Sequence, residues 1–231
     1  MSYRAIFPKR NTLLLVVHSM GTGQVLRNVG IAQNEGADGV FLINHESPAR
    51  TLYRWYEEAR SKYPDFWVGL NCLDLDPETA IRLAPHDVGG IWVDNAGVNE
   101  NEKDGGRGYA RRLAELRRVR RFSGIYFGGV AFKYQPSVND SACMAELAAP
   151  YVDVVTTSGI GTGKAPGLEK IRAMKEAIDD HPLAIASGIT PENVVQYLEY
   201  TDCFLVATGV SDSHTELNPA RVRQLVHAIS S

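Results

Sequence analysis

Eight alternations of a short apolar run with an amphipathic stretch, in 231 residues, predict an α/β fold: a (β/α)8 barrel forming one domain over residues 1–231. Two further observations support this reading. Four helical patterns open on a cap-type residue followed by proline: Ser47-Pro48, Asp76-Pro77, Thr190-Pro191 and Asn218-Pro219. The cap oxygen takes an orphan amide, and proline at the first helical position has no amide to leave unpaired. Nearly every strand also finishes in a polar residue, at the end where such a barrel builds its site.

The elements follow in order. Thr12–His18 is the first strand, β-branched and apolar up to its histidine, with a helical pattern over 22–35. Gly39–Ile43 precedes a helix at 48–62, Phe66–Asn71 one at 77–84, and Gly89–Asp94 one at 108–121. Gly124–Phe132 precedes a helix at 139–148, Val152–Thr157 one at 167–179, Leu183–Ala186 one at 191–199, and Cys203–Thr208 one at 219–229. Strands alternating with helices imply parallel pairing through right-handed crossovers. Asp38, Asp87, Asp153 and Asp202 stand at or just before the even-numbered strands and read as structural caps at the bottom of the barrel. An open doubly wound sheet would want a glycine-rich G-x-G-x-x-G turn after the first strand, and there is none. The longest loop, Asn95–Arg107, is polar and follows the fourth strand.

Composition bounds the partners. A net charge of −3 argues against nucleic acid, whose phosphates call for a basic face. The apolar run Leu13–Val17 is too short to span a membrane, and no signal-peptide pattern surrounds it. Cys72, Cys143 and Cys203 give neither a disulfide framework nor a CxxC metal motif. The expectation is a cytoplasmic protein without a cofactor or a metal. Arg111, Arg112, Arg117, Arg118, Arg120 and Arg121 read as the solvated face of one helix. Tyr53, Trp55 and Tyr56 on the second helix read as packing, or as a contact between copies in a homo-oligomer.

The strand ends carry the candidate chemistry. Ala186-Ser187-Gly188-Ile189-Thr190 and Ala207-Thr208-Gly209-Val210-Ser211 are near copies after strands seven and eight. Each sets a glycine where backbone amides can approach an anion, and these loops hold a phosphate in many barrels. Ser187, Gly188, Thr208 and Gly209 are therefore the expected phosphate-binding residues. A second glycine run, Ser158-Gly159-Ile160-Gly161-Thr162-Gly163-Lys164, is not a Walker loop because Ala165 follows the lysine. It offers Ser158, Gly159, Thr162 and Gly163 as ligand contacts or as a closing loop. Asp94 and Lys133, at the ends of adjacent strands, are the expected catalytic pair, with His18 as a third acid–base group. Asn44, Glu46 and Asn71 complete the polar rim. His18, Glu46 and Asp94 share no local motif, so a metal cluster of those three is not expected. The sixth strand ends Thr-Thr-Ser without a lysine, which disfavours an imine mechanism.

The segment from Asp153 onward, with VDVVTTSGIGTGKAPGLEKI, PLAIASGITPENV, FLVATGVS and a final Asn-Pro helix, resembles the BtpA family of TIM-barrel proteins. The front half is similar too, through VVH, GADGVFLIN and VGLNCLDLDPETAIRLA. The resemblance implies a barrel related to the ribulose-phosphate-binding group, and it carries the phosphate role to Ser187, Gly188, Thr208 and Gly209. It implies no particular reaction. The expected function is an enzyme acting on a small phosphorylated metabolite, a sugar phosphate or phosphoribosyl compound, by isomerase, lyase or transferase chemistry. The alternative is a non-catalytic protein that binds a phosphorylated ligand or assists assembly of a complex.

Overall fold

The structure, a computed structural model, describes residues 2–102, 104 and 106–231, so the expected loop Asn95–Arg107 lies partly outside the described residues. Eight parallel strands close on themselves in chain order. They are β1 (Thr12–His18), β2 (Gly39–Ile43), β3 (Trp67–Asn71), β4 (Gly90–Val93), β5 (Ile125–Gly129), β6 (Val154–Thr157), β7 (Leu183–Ile185) and β8 (Cys203–Val206). The helices are α1 (Tyr3–Ile6), α2 (Thr22–Asn34), α3 (Ala49–Lys62), α4 (Pro77–Leu83), α5 (Arg107–Val119), α6 (Ser141–Ala148), α7 (Leu168–Ile178) and α8 (Pro219–Ser230). β8 pairs with β1 from Thr12↔Cys203 to Leu15↔Val206, which removes every sheet edge.

The period-2 alternation of a strand divides the core in two. On β1, Leu13, Leu15 and Val17 face the helices, while Leu14 and Val16 face the barrel interior. The interior is aromatic: Phe41 packs edge-on against Trp67, Trp92 and Phe127 at centroid distances of 5.1–5.7 Å. Gly69 makes room for it, because a Cβ there would lie 2.5 Å from the Phe41 ring. The short helix α1 closes the bottom. Its Tyr3 hydroxyl donates to Thr12 Oγ1 at 2.8 Å and to the Asp202 carbonyl at 2.9 Å.

Three of the four expected aspartate caps do more than end a turn. The carboxylates of Asp38, Asp153 and Asp202 accept the amides of Leu13, Tyr126 and Leu183, each on the preceding odd-numbered strand. Asp202 also accepts from Lys175 Nζ at 3.0 Å and from the Arg4 guanidinium. Asp87 departs from the pattern. It is exposed and pairs with Arg60 at 3.8 Å, and among the described residues no strand amide donates to its carboxylate.

Other departures have local causes. The polar ends expected on strands four, five and eight lie beyond the paired residues, so Asp94 and Lys133 sit in loops and Thr208 opens a 3-10 turn, Thr208–Val210. Asp76 and Asn218 cap their helices through their side chains, but Ser47 does not, since the α3 cap position falls on Pro48. The helix expected at 191–199 is a 3-10 turn, Val194–Tyr197. Asn193 accepts the Thr190 amide and donates to the Gly188 carbonyl, which draws the chain into a tight turn there. The α5 arginines are not all solvated: Arg117 pairs with Asp153 at 2.9 Å and lies over the Tyr126 ring. Trp55 and Tyr56 are buried in the core of this chain.

Replacing Asp202 with alanine strips the Leu183 amide of its acceptor and leaves Lys175 without its carboxylate. Denaturant unfolding is expected to show a loss of about 3 kcal/mol, the lower end for breaking a buried pair. Gly69→Ala, which drives a methyl into the Phe41 ring, is expected to cost roughly 1–3 kcal/mol in the same assay.

Candidate functional site

A cavity of about 360 Å³ opens where the loops after the strands converge. Its floor is the top of the barrel interior, with Val16, Ile43, Trp92 and Leu205. Its walls include all three expected catalytic residues, His18, Asp94 and Lys133, and all four expected phosphate residues, Ser187, Gly188, Thr208 and Gly209. Thr162 and Gly163 line it too, and Tyr134 beside Lys133 reaches Thr162 Oγ1 at 3.1 Å. Apolar walls with a few converging polar groups are the usual form of a small-molecule site.

Each polar group is held by specific neighbours. A Cβ on Gly129, at the end of β5, would lie 2.1 Å from the Asp94 carbonyl, so glycine there lets the Asp94 backbone sit tight against β5. Burial raises the Asp94 carboxyl above the usual carboxylate range; a hydrogen bond from Asn71 at 3.3 Å and the charge of Lys133 only partly offset it. Asp94 and Lys133 face the same cavity without forming an ion pair. The Lys133 amide donates to Ser158 Oγ at 2.7 Å, which fixes the turn that carries the ammonium.

The glycine turns work differently from the simplest expectation. A Cβ on Gly188 would stand 2.0 Å from the Ala165 amide, and one on Gly209 would stand 1.9 Å from the Ile189 carbonyl. The missing side chains therefore admit the neighbouring loop's backbone. Gly188 also takes φ +66°, a conformation that favours glycine. The Ser187 hydroxyl is already committed to the carbonyls of Gly161 and Lys164, at 2.9 and 2.6 Å. What these turns leave free is backbone. Among the described residues, the amides of Ser187, Gly188, Ile189, Thr208 and Gly209 have no protein acceptor.

The remaining expected ligand residues stand outside the cavity wall. Asn44 is fully buried and spans Ser47, Leu73 and Asp74. Asn71 reaches the cavity only through Asp94. Glu46 is exposed on the rim. Ser158 and Gly159 face a neighbouring groove, where Lys170 Nζ donates to the carbonyls of Ala131 and Ser158 at 2.7 and 2.8 Å. Burial brings the Lys170 ammonium down to about 8. Lys170 holds the turns after β5 and β6 together, and nothing in the strand-end pattern pointed to a helix residue.

Sequence reasoning also missed a histidine cluster. His45 follows directly on Asn44, and His214 lies in the loop Ser211–Leu217, which folds back through a bridge between its own ends. Both line the cavity beside His18. The His18 and His45 rings stack at 4.7 Å, and His214 tilts over His18 at 4.2 Å. Burial, then His214, His45 and Lys133 in turn, push His18 down to about 3, so its imidazole is neutral at physiological pH. Glu46 and Asp94 are not part of this group.

Residues 109–231, more than half of the chain, match the family model of the BtpA family. An uncharacterised protein from Pyrococcus furiosus is 24% identical over 213 residues, 86% of this chain and 80% of that one. Among solved structures, phosphoribosyl anthranilate isomerase from Thermotoga maritima matches with a TM-score of 0.67 at 13% identity, over 95% of this chain and 98% of its own. The (S)-3-O-geranylgeranylglyceryl phosphate synthase from Thermoplasma acidophilum, in complex with its substrate sn-glycerol-1-phosphate, matches with a TM-score of 0.66 at 15% identity, over 99% and 98%. Both are TIM barrels by fold, and both names carry a phosphorylated compound. With its closed eight-stranded barrel and its matched C-terminal half, this chain is a TIM-barrel protein and belongs to the BtpA family.

Proposed function

We propose that this protein is an enzyme acting on a small phosphorylated metabolite, a sugar phosphate or phosphoribosyl compound, by proton-transfer chemistry of the isomerase, lyase or transferase type. The observation that carries this reading is the set of backbone amides without acceptors at Ser187–Ile189 and Thr208–Gly209, in the wall of the same cavity as Lys133. Amides in a left-handed glycine turn make an anion-binding concavity, and a lysine ammonium adds a point charge. The names of the two solved barrels support the substrate class.

The roles divide by place. The β7 and β8 turns hold the phosphate through main-chain amides, with the exposed Thr208 hydroxyl as an added donor. Ser187 contributes its amide, since its hydroxyl holds the loop after β6. Lys133 stabilises negative charge that develops on the substrate. Asp94, raised by burial, exchanges a proton with it. Thr162, Gly163 and Tyr134 cover the mouth.

A thermal-shift screen of phosphorylated metabolites, followed by mass spectrometry of the hits, tests the proposal. A phosphorylated compound is expected to raise the melting temperature, by the equivalent of about 2.7 kcal/mol at 100 times its dissociation constant, and to be consumed. Its dephosphorylated counterpart does neither, and Lys133→Met weakens both responses. Binding without conversion would favour the non-catalytic alternative, and indifference to every phosphorylated compound would remove the proposal.

Asp94→Asn separates catalysis from stability. The folded chain holds the Asp94 proton more tightly than the unfolded chain, so ionising it costs stability as pH rises through and above the carboxylate range. The amide is expected to melt higher than the parent at pH 7, with the gain vanishing below the usual carboxylate range, while turnover is lost. Calorimetry at the two pH values checks the sign.

A further inference from the structure

We propose that His18, His45 and His214 form a binding site for one divalent transition-metal ion of the zinc class, with an open coordination position facing the cavity. The site is distinct from the phosphate reading and does not depend on it. The observation is geometric. One ligand atom from each of the three imidazoles lies within 4.8 Å of the others. His18 Nδ1 and His45 Nε2 approach to 2.5 Å. A tetrahedral ion with bonds of about 2.0–2.1 Å sets its nitrogen ligands roughly 3.4 Å apart, inside that range, so small ring rotations suffice. Among the described residues, the rings' only hydrogen bond is the one between His18 and His45.

The backbone beside each ring is anchored by side-chain hydrogen bonds. Gln24 Nε2 donates to the His18 carbonyl at 3.2 Å and to the Thr215 carbonyl, next to His214, at 2.6 Å. Asn28 grips the same loop twice, donating to the Thr215 carbonyl and accepting the Leu217 amide. Asn44, fully buried and hydrogen-bonded on both ends of its carboxamide, fixes the residue before His45. Three segments distant in sequence, at the ends of β1 and β2 and after β8, thus deliver three imidazoles to one point.

Imidazole suits zinc, copper, nickel and iron, and three protein ligands with a free fourth position is the pattern of zinc sites that do chemistry. All three histidines line the cavity. An ion here has its remaining position toward whatever fills that space, where it can polarise a carbonyl or phosphoryl oxygen or lower the pKa of a bound water.

The test uses the full chain after dialysis against a chelator. Calorimetric titration with zinc is expected to give one site per chain, and cobalt to give the visible absorption of a four-coordinate centre. His45→Ala and His214→Ala, both at exposed positions, are expected to weaken binding by more than the roughly 10–100-fold that losing an outer-shell partner costs. Gln24→Ala, as a positioning change, weakens it less. His86→Ala and His227→Ala, outside the cluster, leave it unchanged. Lys133→Met is expected to keep the metal even where it loses phosphate, so failure of one reading is separable from failure of the other. No stoichiometric binding, or binding that survives both cluster substitutions, overturns the proposal.

Discussion

The barrel depends on its seam, and the seam depends on Asp202. This one residue, at the foot of β8, takes the Leu183 amide of β7, Lys175 of α7 and Arg4 of α1 on its carboxylate. Its carbonyl accepts the Thr12 amide of β1 and the Tyr3 hydroxyl. A single buried acid thus joins the last two strands to the first and fastens the helix that plugs the bottom. A carboxylate so placed is stable only because every lone pair facing the interior meets a donor. Asp38 and Asp153 repeat the device at β2 and β6 with fewer partners.

At the opposite end, the governing constraint is room for backbone. Gly129, Gly188 and Gly209 each stand where a Cβ would meet another loop's main chain at 2.1 Å or less, and Gly159 where it would meet its own loop's main chain at 2.0 Å. The loops after β4, β6 and β7 are therefore nested against the strands and turns beside them. Such packing spends the inner face of each turn on its neighbour and leaves the amides of the β7 and β8 turns unmatched. Unmatched main-chain donors at a cavity wall are unfavourable unless water or a ligand meets them. On the proposed reading, the phosphate site follows from how tightly the loops nest.

The fold was legible because its signals are local and repeated: period-2 apolar runs, proline-marked helix starts, and aspartates before alternate strands. Asp94, Lys133 and His18 were legible as neighbours in one cavity because they stand at or just past strand ends, which barrel topology brings together. Residues that act through the third dimension were harder to read. Nothing local distinguishes Ser187, whose hydroxyl braces another loop, from a phosphate donor. Lys170 lies on a helix and reaches back under two turns. His214 joins the cavity only because the Ser211–Leu217 loop curls over the mouth, held by Gln24 and Asn28 from α2, far away in the chain. The thirdfold imidazole group is a product of closure, since β8 and β2 flank β1 only in a closed ring.

That closure also sorts the polar groups of the cavity into two arcs. β7, β8, β1 and β2 are consecutive around the ring, and they carry the unmatched amides and the histidines. β4 and β5 are neighbours on another arc, and they carry the carboxyl and the ammonium. A substrate whose charged end rests against the first arc presents the rest of its length to the second. On the proposed reading, the donors that bind the substrate are main-chain groups set by rigid packing, while the groups that move protons sit on loops just past the strand ends. On the same reading, binding and proton transfer can vary separately in such an arrangement except at Lys133, whose charge serves both.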